Sequence, residues 1–267
     1  MKKLIILLFL SLYSFSFSQV KMISWNIENF GKSKSNAEIA YIATQLNKYD
    51  VVALQEVVAG YGGAQAVARL ADELNRKGNK WEYTISNPTT STPSKTERYA
   101  FLWKSAIIKK IGKAGLEKKY ASVIEREPYL CTFEYSKKQF TAVSFHAITK
   151  SKQPEREIKY FKYFSEEYPK LNLIFAGDFN CPQSHSVFNP LRKMGYSSAL
   201  VNQKTSLKRS CKNGVCLASE YDNLFFSKSK IRKLNSGVIP FYQNFQSLKE
   251  ARTISDHCPI WMEFSLN

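Results

Sequence analysis

The chain is poor in histidine. Only three occur among its 267 residues, so the place of each one carries weight. It also lacks an apolar run long enough to span a membrane, which takes roughly 20 residues. The run from Leu4 to about Leu12 stops short, and a Ser/Phe stretch follows it. The five cysteines, Cys131, Cys181, Cys211, Cys216 and Cys258, do not have the spacings of a zinc site. No Pro/Gly/Ser-rich linker, low-complexity tract or internal repeat divides the chain, which argues for one domain. Acidic residues are scarce as well, 22 against 39 lysines and arginines, for a formal net charge of +17. The surplus is spread along the chain rather than gathered in a tail. Such a balance favours polyanionic partners, because cations near phosphates release counterions and steer association.

The N-terminus reads as a targeting segment. Lys2 and Lys3 precede the apolar run, and Ser16-Phe17-Ser18 puts small residues at the two positions a signal peptidase reads. This predicts a signal peptide over residues 1–18 with cleavage before Gln19, leaving a single domain over 19–267. No cysteine follows the small-residue site, which argues against a lipid-anchored precursor. The expected product is secreted, to the periplasm or the medium, and is soluble with no stable membrane association. Export permits disulfides. Cys211 and Cys216 flank a segment whose Asn213-Gly214 is a turn signal, so a bridge between them is expected. Cys131 lies in an apolar run and reads as a small buried hydrophobe.

Helices and strands alternate, which predicts an α/β or α+β layered fold. Val20–Ile27 reads as a first strand. Ser35-Asn36-Ala37-Glu38 is a capping box, followed by Ile39, Ile42, Ala43 and Leu46 at helical spacing. Val51–Gln55 is a short buried strand. Val67, Leu70, Ala71 and Leu74 mark a second helix, stopped by Gly78. Ile158, Phe161, Ser165 and Tyr168 predict a third, entered after Pro154. Further strands are predicted at 81–85, 98–103, 129–133, 141–146, 171–176, 223–226 and 259–264. That is more than one narrow sheet holds, so two packed sheets with helices outside are expected.

The polar residues at the strand ends are the informative ones. Val51–Gln55 ends at Glu56, the 141–146 strand ends at His146, and the 171–176 strand runs into Gly177-Asp178-Phe179-Asn180. Asn26 closes the first strand, and Ser255-Asp256-His257 precedes the last. Open sheets carry their sites at strand ends. A single acid there is usually a turn or capping residue, and a lone histidine is usually surface or satisfied core. Here the pattern takes two of the three histidines.

Seven clusters then occur in order: Trp25-Asn26-Ile27, Leu54-Gln55-Glu56-Val57, Glu97-Arg98-Tyr99, Ser144-Phe145-His146, Gly177-Asp178-Phe179-Asn180, Tyr221-Asp222-Asn223 and Ser255-Asp256-His257. Together they resemble the endonuclease/exonuclease/phosphatase superfamily. Thr96 to Trp103 and Arg126-Glu127-Pro128 are similar to the DNase I-like branch. The resemblance implies a four-layer αββα sandwich with two packed mixed β-sheets. It implies a secreted, metal-dependent endonuclease that hydrolyses DNA phosphodiester bonds and acts as a monomer.

Such hydrolysis requires deprotonating water, stabilising phosphoryl charge and neutralising the leaving 3′ oxygen. Glu56, Asp256 and Asn26 are hard oxygen donors suited to Mg²⁺, and the resemblance puts them at one ion site. Mn²⁺ can stand in for Mg²⁺, and Ca²⁺ is allowed as a structural ion. The two imidazoles titrate near neutrality and suit the proton transfers. By resemblance, Glu97 orients His146 and Asp222 orients His257, with the choice of base and acid left open. Asp178 lies by the water or the ion, and Asn180 holds a phosphoryl oxygen. Arg126 and Tyr221 are candidates for gripping backbone phosphates, Arg126 through its forked donors. His185 reads as a solvated loop residue. Two positions depart from the pancreatic-type pattern: Val58 replaces an arginine that enters the minor groove, and Lys95 replaces a groove-contacting tyrosine. Rival readings within the superfamily are a sphingomyelinase-like phosphodiesterase or phospholipase and a DNase-like toxin subunit.

Overall fold

Alternating burial along the strands and one-sided burial along the helices build the molecule. The computed structural model describes residues 19–92 and 95–267; the predicted signal peptide, 1–18, lies outside the described residues. The first strand, β1 (Val20–Phe30), leads into α1 (Asn36–Leu46), then β2 (Val51–Val58), α2 (Tyr61–Arg76), β3 (Trp81–Ile85) and β4 (Glu97–Lys104). The second half opens with β5 (Lys109–Leu116), β6 (Tyr129–Tyr135) and β7 (Lys138–His146), followed by two short helices, α3 (Glu155–Ile158) and α4 (Phe161–Glu167). Next come β8 (Leu173–Asp178), α5 (Asn189–Lys193), β9 (Tyr196–Ser198), and a hairpin of β10 (Leu207–Lys212) and β11 (Val215–Leu217). The chain closes with β12 (Asp222–Ser227), β13 (Ile231–Val238), α6 (Leu248–Ala251) and β14 (Ile260–Leu266).

The strands form two six-stranded sheets, ordered β13-β14-β1-β2-β4-β3 and β5-β6-β7-β8-β12-β9, and the β10–β11 hairpin stands apart from both. Each sheet has one parallel pair, β1–β2 and β7–β8, among antiparallel neighbours. The sheets face each other across a core that includes Met22, Ala53, Phe101, Phe133, Phe140, Ala176, Leu224 and Met262. A second core, with Ile42, Leu46, Val67, Leu70 and Leu74, packs α1 and α2 on the outer face of the first sheet. A third, built on Ile158, Phe161, Phe164, Phe175 and Phe188, covers the second sheet. This is the αββα sandwich.

The capping box forms as predicted: Glu38 N donates to Ser35 Oγ at 3.2 Å and Ser35 N donates to Glu38 Oε2 at 2.7 Å. The third predicted helix is instead two short ones. Its buried stripe is Ile158, Phe161 and Phe164, while Ser165 is only part-buried and meets the Tyr196 hydroxyl at 2.9 Å. The expected bridge is present, with Cys211 joined to Cys216 across the hairpin. Asn213 and Gly214 both take positive φ, 52° and 75°, as a type I′ turn requires. Among the described residues no helix is long and apolar enough to cross a membrane.

Candidate active site

Side chains on a strand alternate between faces, so the inner face of each central strand can be followed to its end. In β1 it runs Val20, Met22, Ser24, Asn26; in β4, Trp103, Phe101, Tyr99, Glu97; in β7, Ala142, Ser144, His146; in β8, Ile174, Ala176, Asp178. Each series changes from apolar to polar at the same level of the sandwich. Pairing fixes the second sheet's part, because His146 lies opposite Asp178 and Asp178 opposite Asp222. Below this level Gln55 of the first sheet donates to Ser144 Oγ of the second at 2.8 Å and to Ser24 Oγ at 3.1 Å. That polar layer separates the dry core from the site.

Glu56 is out of phase with Val51, Ala53 and Gln55. It reaches the site because the β2–β4 register slips between Leu54 and Val57, and Glu56 takes φ 59°. Such strain in a non-glycine residue is held only where its surroundings over-determine it, and it gathers at functional positions. The Glu56 carboxylate accepts from Asn26 Nδ2 at 3.0 Å and from Asn29 N at 3.2 Å. Gly177 is needed for a related reason: its φ is 142°, and a Cβ there would lie 1.9 Å from the Phe145 carbonyl oxygen. Only glycine lets β8 approach β7 closely enough to pair His146 with Asp178.

The structure brings the predicted catalytic and metal residues into one cluster. His146 Nδ1 sits 2.9 Å from Glu97 Oε2, and His257 Nδ1 sits 2.8 Å from Asp222 Oδ2. Each carboxylate therefore fixes one ring nitrogen and leaves Nε2 facing inward. The two Nε2 atoms converge on the same atom, Asp178 Oδ2, at 3.5 Å and 3.6 Å. Glu56 Oε1 lies 3.9 Å from the Nε2 of His146, and Asp256 Oδ1 lies 4.0 Å from that of His257. Asn26 Nδ2 contacts Asp178 Oδ2 at 3.3 Å. Asn180 holds φ 48°; its backbone N donates to Asp178 Oδ1 at 2.8 Å and its Nδ2 to the Ala147 carbonyl at 3.1 Å.

Arg126 is buried, giving Nε to the His146 carbonyl at 2.9 Å, one terminal nitrogen to the Ala147 carbonyl and the other to Glu97 at 3.5 Å. Tyr221 is half-buried beside Asp222, and its carbonyl accepts from Phe179 N. His185 stays outside the cluster, where its Nδ1 accepts from Val187 N at 3.1 Å. A cavity of about 280 Å³ opens on the cluster, lined by Glu56, Glu97, Arg126 and His146 together with Val58 and Lys95. The larger cavity beside it, about 540 Å³, holds none of the predicted site residues, so chemistry rather than volume locates the site.

Electrostatics follow from burial and pairing. Burial pushes the His146 imidazole down, but Glu97, working against Arg126, holds it above the ordinary histidine value. Burial acts on His257 too, and Asp222 with Asp178 outweighs it, holding that imidazole well above the ordinary value. Burial pushes the Glu97 carboxyl up, but the charge and hydrogen bond of His146, with Arg126, bring it below the usual range. Asp178 is pushed up by burial and by Asp222, against the pull of both imidazoles.

Two sets of donor residues could hold a cation. Asp178, Asp222 and His257 offer atoms within 4.8 Å of one another, but Nδ1 of His257 and Oδ2 of Asp222 are already spent on each other. The set of Asn26, Glu56 and Asp256 fits better. Asn26 Oδ1 is buried and has no hydrogen-bond partner among the described residues, which is costly unless something binds there. Its neighbours are carboxylates, and hard oxygen donors of this kind suit Mg²⁺.

Sequence reasoning missed Thr205, and gave Ser255 no role beyond membership of the Ser255-Asp256-His257 cluster. Thr205 Oγ1 donates to Asp222 Oδ2 at 2.5 Å, on the atom that His257 uses. Ser255 Oγ donates to the Asn26 carbonyl at 2.6 Å and accepts from His257 N at 3.0 Å, tying the two together. Thr205 bears no local signal, because its partner Asp222 is 17 residues further along the chain.

The layers and the inward-facing imidazole–carboxylate pairs define a class: an αββα sandwich with an acid–base centre where facing strands end. The chain belongs to the Endonuclease/Exonuclease/phosphatase family, whose model matches residues 23–257. It is similar to a protein named Deoxyribonuclease from Thioalkalivibrio sp. (strain K90mix), 28% identical over 98% of this chain and 75% of that one. It is also similar to human Deoxyribonuclease-1, 30% identical over 90% of each chain. In fold it matches the structure of D. rerio TDP2 complexed with single strand DNA product, with a TM-score of 0.65, 14% identity, and coverage of 93% of this chain and 99% of that one.

Proposed function

We propose that the chain is a divalent-metal-dependent endonuclease that hydrolyses phosphodiester bonds of DNA. The observation that carries this reading is the pair of imidazoles, each held at Nδ1 by its own carboxylate, with both Nε2 atoms within 3.6 Å of one Asp178 oxygen. Hydrolysis of a diester needs one group to take a proton from water and another to give one to the leaving 3′ oxygen. Two oriented imidazoles on either side of a shared carboxylate meet that need, and the near-symmetry of the pair leaves both assignments open. Asp222 and Glu97 stabilise the imidazolium formed at each ring, by the orienting logic of catalytic triads.

Asn26, Glu56 and Asp256 would hold the cation, Mg²⁺ or Mn²⁺. When bound, such an ion stabilises charge on the phosphoryl oxygens. Arg126 lines the cavity beside Glu56 and His146, and its unspent N–H groups and Asn180 are suited to phosphoryl oxygens, with Tyr221, half-buried beside Asp222, for a neighbouring phosphate. The relatives named deoxyribonuclease support DNA as the substrate, as does the formal charge of +17. From Lys2, Lys3, the apolar run and the small residues Ser16 and Ser18, we assign the chain to export with cleavage before Gln19, acting on DNA outside the cytoplasm.

A supercoiled-plasmid assay on the mature chain tests the reading, run beside sphingomyelin liposomes. Plasmid nicking that stops in chelator and returns with Mg²⁺ supports it. Choline-phosphate release without nicking would replace it with the phospholipase alternative.

A further inference from the structure

The β10–β11 hairpin belongs to neither sheet, yet both its ends are fastened to the catalytic centre. At its entry, Thr205 Oγ1 holds Asp222, Ser206 bridges to His257, and Leu207 N donates to the Asp256 carbonyl at 2.7 Å. At its exit, Tyr221 N and Asp222 N return to Thr205 Oγ1 at 3.2 and 3.0 Å. The stem is closed by Thr205 N to the Ser219 carbonyl and Ala218 N to the Ser206 carbonyl, both 2.7 Å. Leu207 is buried in the first sheet's outer core, against which Leu217 and Cys216 pack. Beyond that anchor the chain leaves the body of the protein, and residues 209–215 are all exposed.

The arm is basic. Half-buried Lys208 and exposed Arg209 and Lys212 stand on β10, with exposed Lys204 just before the stem. None of the four takes part in an ion pair among the described residues, and Glu220 is the one acid between Thr205 and Tyr221. A solitary two-stranded hairpin is marginal in water. This one carries the Cys211–Cys216 bridge and the Asn213-Gly214 turn at its far end, both of which fix its shape. At about 3.3 Å per residue, β10 extends roughly 17 Å from Leu207 to Lys212. That equals about five phosphates' rise along one DNA strand.

We propose that this hairpin is a substrate-gripping arm: Lys208, Arg209 and Lys212 bind backbone phosphates of the nucleic acid on the Tyr221 side of the scissile bond. The disulfide keeps the arm rigid, so that the cations are held in place rather than ordered at each encounter. Contacts of this kind position the substrate and do not read its sequence. The proposal rests on the nucleic-acid reading of the site, and the two can fail separately.

The test measures DNA binding in chelator across a salt series, for the wild-type chain and for the K208Q/R209Q/K212Q variant. Each lost phosphate contact shallows the slope of log K against log[salt] by about 0.9 on duplex DNA. The variant is therefore expected to lose between two and three in slope, and about tenfold or more in affinity at moderate salt. Its hydrolysis of bis-p-nitrophenyl phosphate, too small to reach the arm, should match the wild type, which shows that the centre is intact. The C211S/C216S variant, with every charge kept, should fall between the two in affinity. An unchanged salt slope in the triple variant overturns the arm, whether or not the wild type cuts DNA. Wild-type binding without cleavage in Mg²⁺ counts against the nuclease reading alone, and the slopes still decide the arm.

Discussion

His257 shows how little room the site leaves a single residue. One nitrogen is committed to Asp222, the other faces Asp178 and Asp256, and the carbonyl accepts from Trp25 Nε1 at 2.7 Å. His257→Ala and His146→Ala should each lower kcat on DNA by about a thousandfold or more, the scale seen when one member of an interdependent catalytic set is removed. Both variants should keep a native circular dichroism spectrum, and near-normal turnover in either would remove that residue from the chemistry.

The raised imidazoles also bear on stability. A histidine whose folded pKa lies above its unfolded value of about 6.5 stabilises the fold fully below that pH, and the contribution disappears as pH rises through the folded value. Asp178, raised by burial, acts in the same sense above the usual carboxylate range, while lowered Glu97 stabilises above its unfolded value and loses that contribution on acidification. In chelator, urea midpoints should fall as pH rises from about 6.5, and His257→Ala should flatten that fall. A midpoint that rises over this interval would contradict the charge arrangement. At this scale the sequence was legible where a polar side chain ends an apolar run, as at Asn26, His146 and Asp178, while Glu97 and its role came from the family resemblance. It was silent on Thr205, Gln55 and the carbonyl contacts of Arg126, because their partners are distant in the chain.

Strand ends and bulges do the positioning at the scale of elements. The left-handed turn at Glu56 brings an out-of-phase carboxylate inward, and Gly177 lets β8 close on β7. Gly177→Ala combines a 1.9 Å clash against backbone with an unfavourable φ, and should cost about 3 kcal/mol or more. Differential scanning calorimetry would show it as a lowered Tm together with lost activity, and a Tm equal to wild type would refute the close approach. Strands with an apolar face were legible, including β4, β6 and β7 on the inner side and β3 through Trp81 and Ile85 on the outer side. The exposed edge strands β5 and β13 were not, since Lys109–Leu116 and Ile231–Val238 bury little on either face. The break between α3 and α4 is hidden in the sequence because Ile158 and Phe161 keep helical spacing across it.

At the scale of the whole molecule, two sheets stack so that the parallel pair of each delivers its polar ends to one rim. The number of apolar runs implied two packed sheets with helices outside, but the strand order depends on long-range pairing that no local pattern encodes. A chain with 39 lysines and arginines against 22 acidic residues should make cleavage sensitive to ionic strength. The kcat/KM on DNA is expected to fall at least tenfold between about 50 and 200 mM salt through counterion release. Hydrolysis of bis-p-nitrophenyl phosphate should change little over the same range, and equal sensitivity of both substrates would show that the charge surplus has no part in binding DNA.

The most direct measurement is the rate at which the purified mature chain converts supercoiled plasmid to nicked circles. The expected result is nicking in Mg²⁺ that stops in excess chelator and is absent from the His146→Ala/His257→Ala double variant. Intact plasmid with Mg²⁺ and with Mn²⁺, or undiminished nicking by the double variant, would contradict the account.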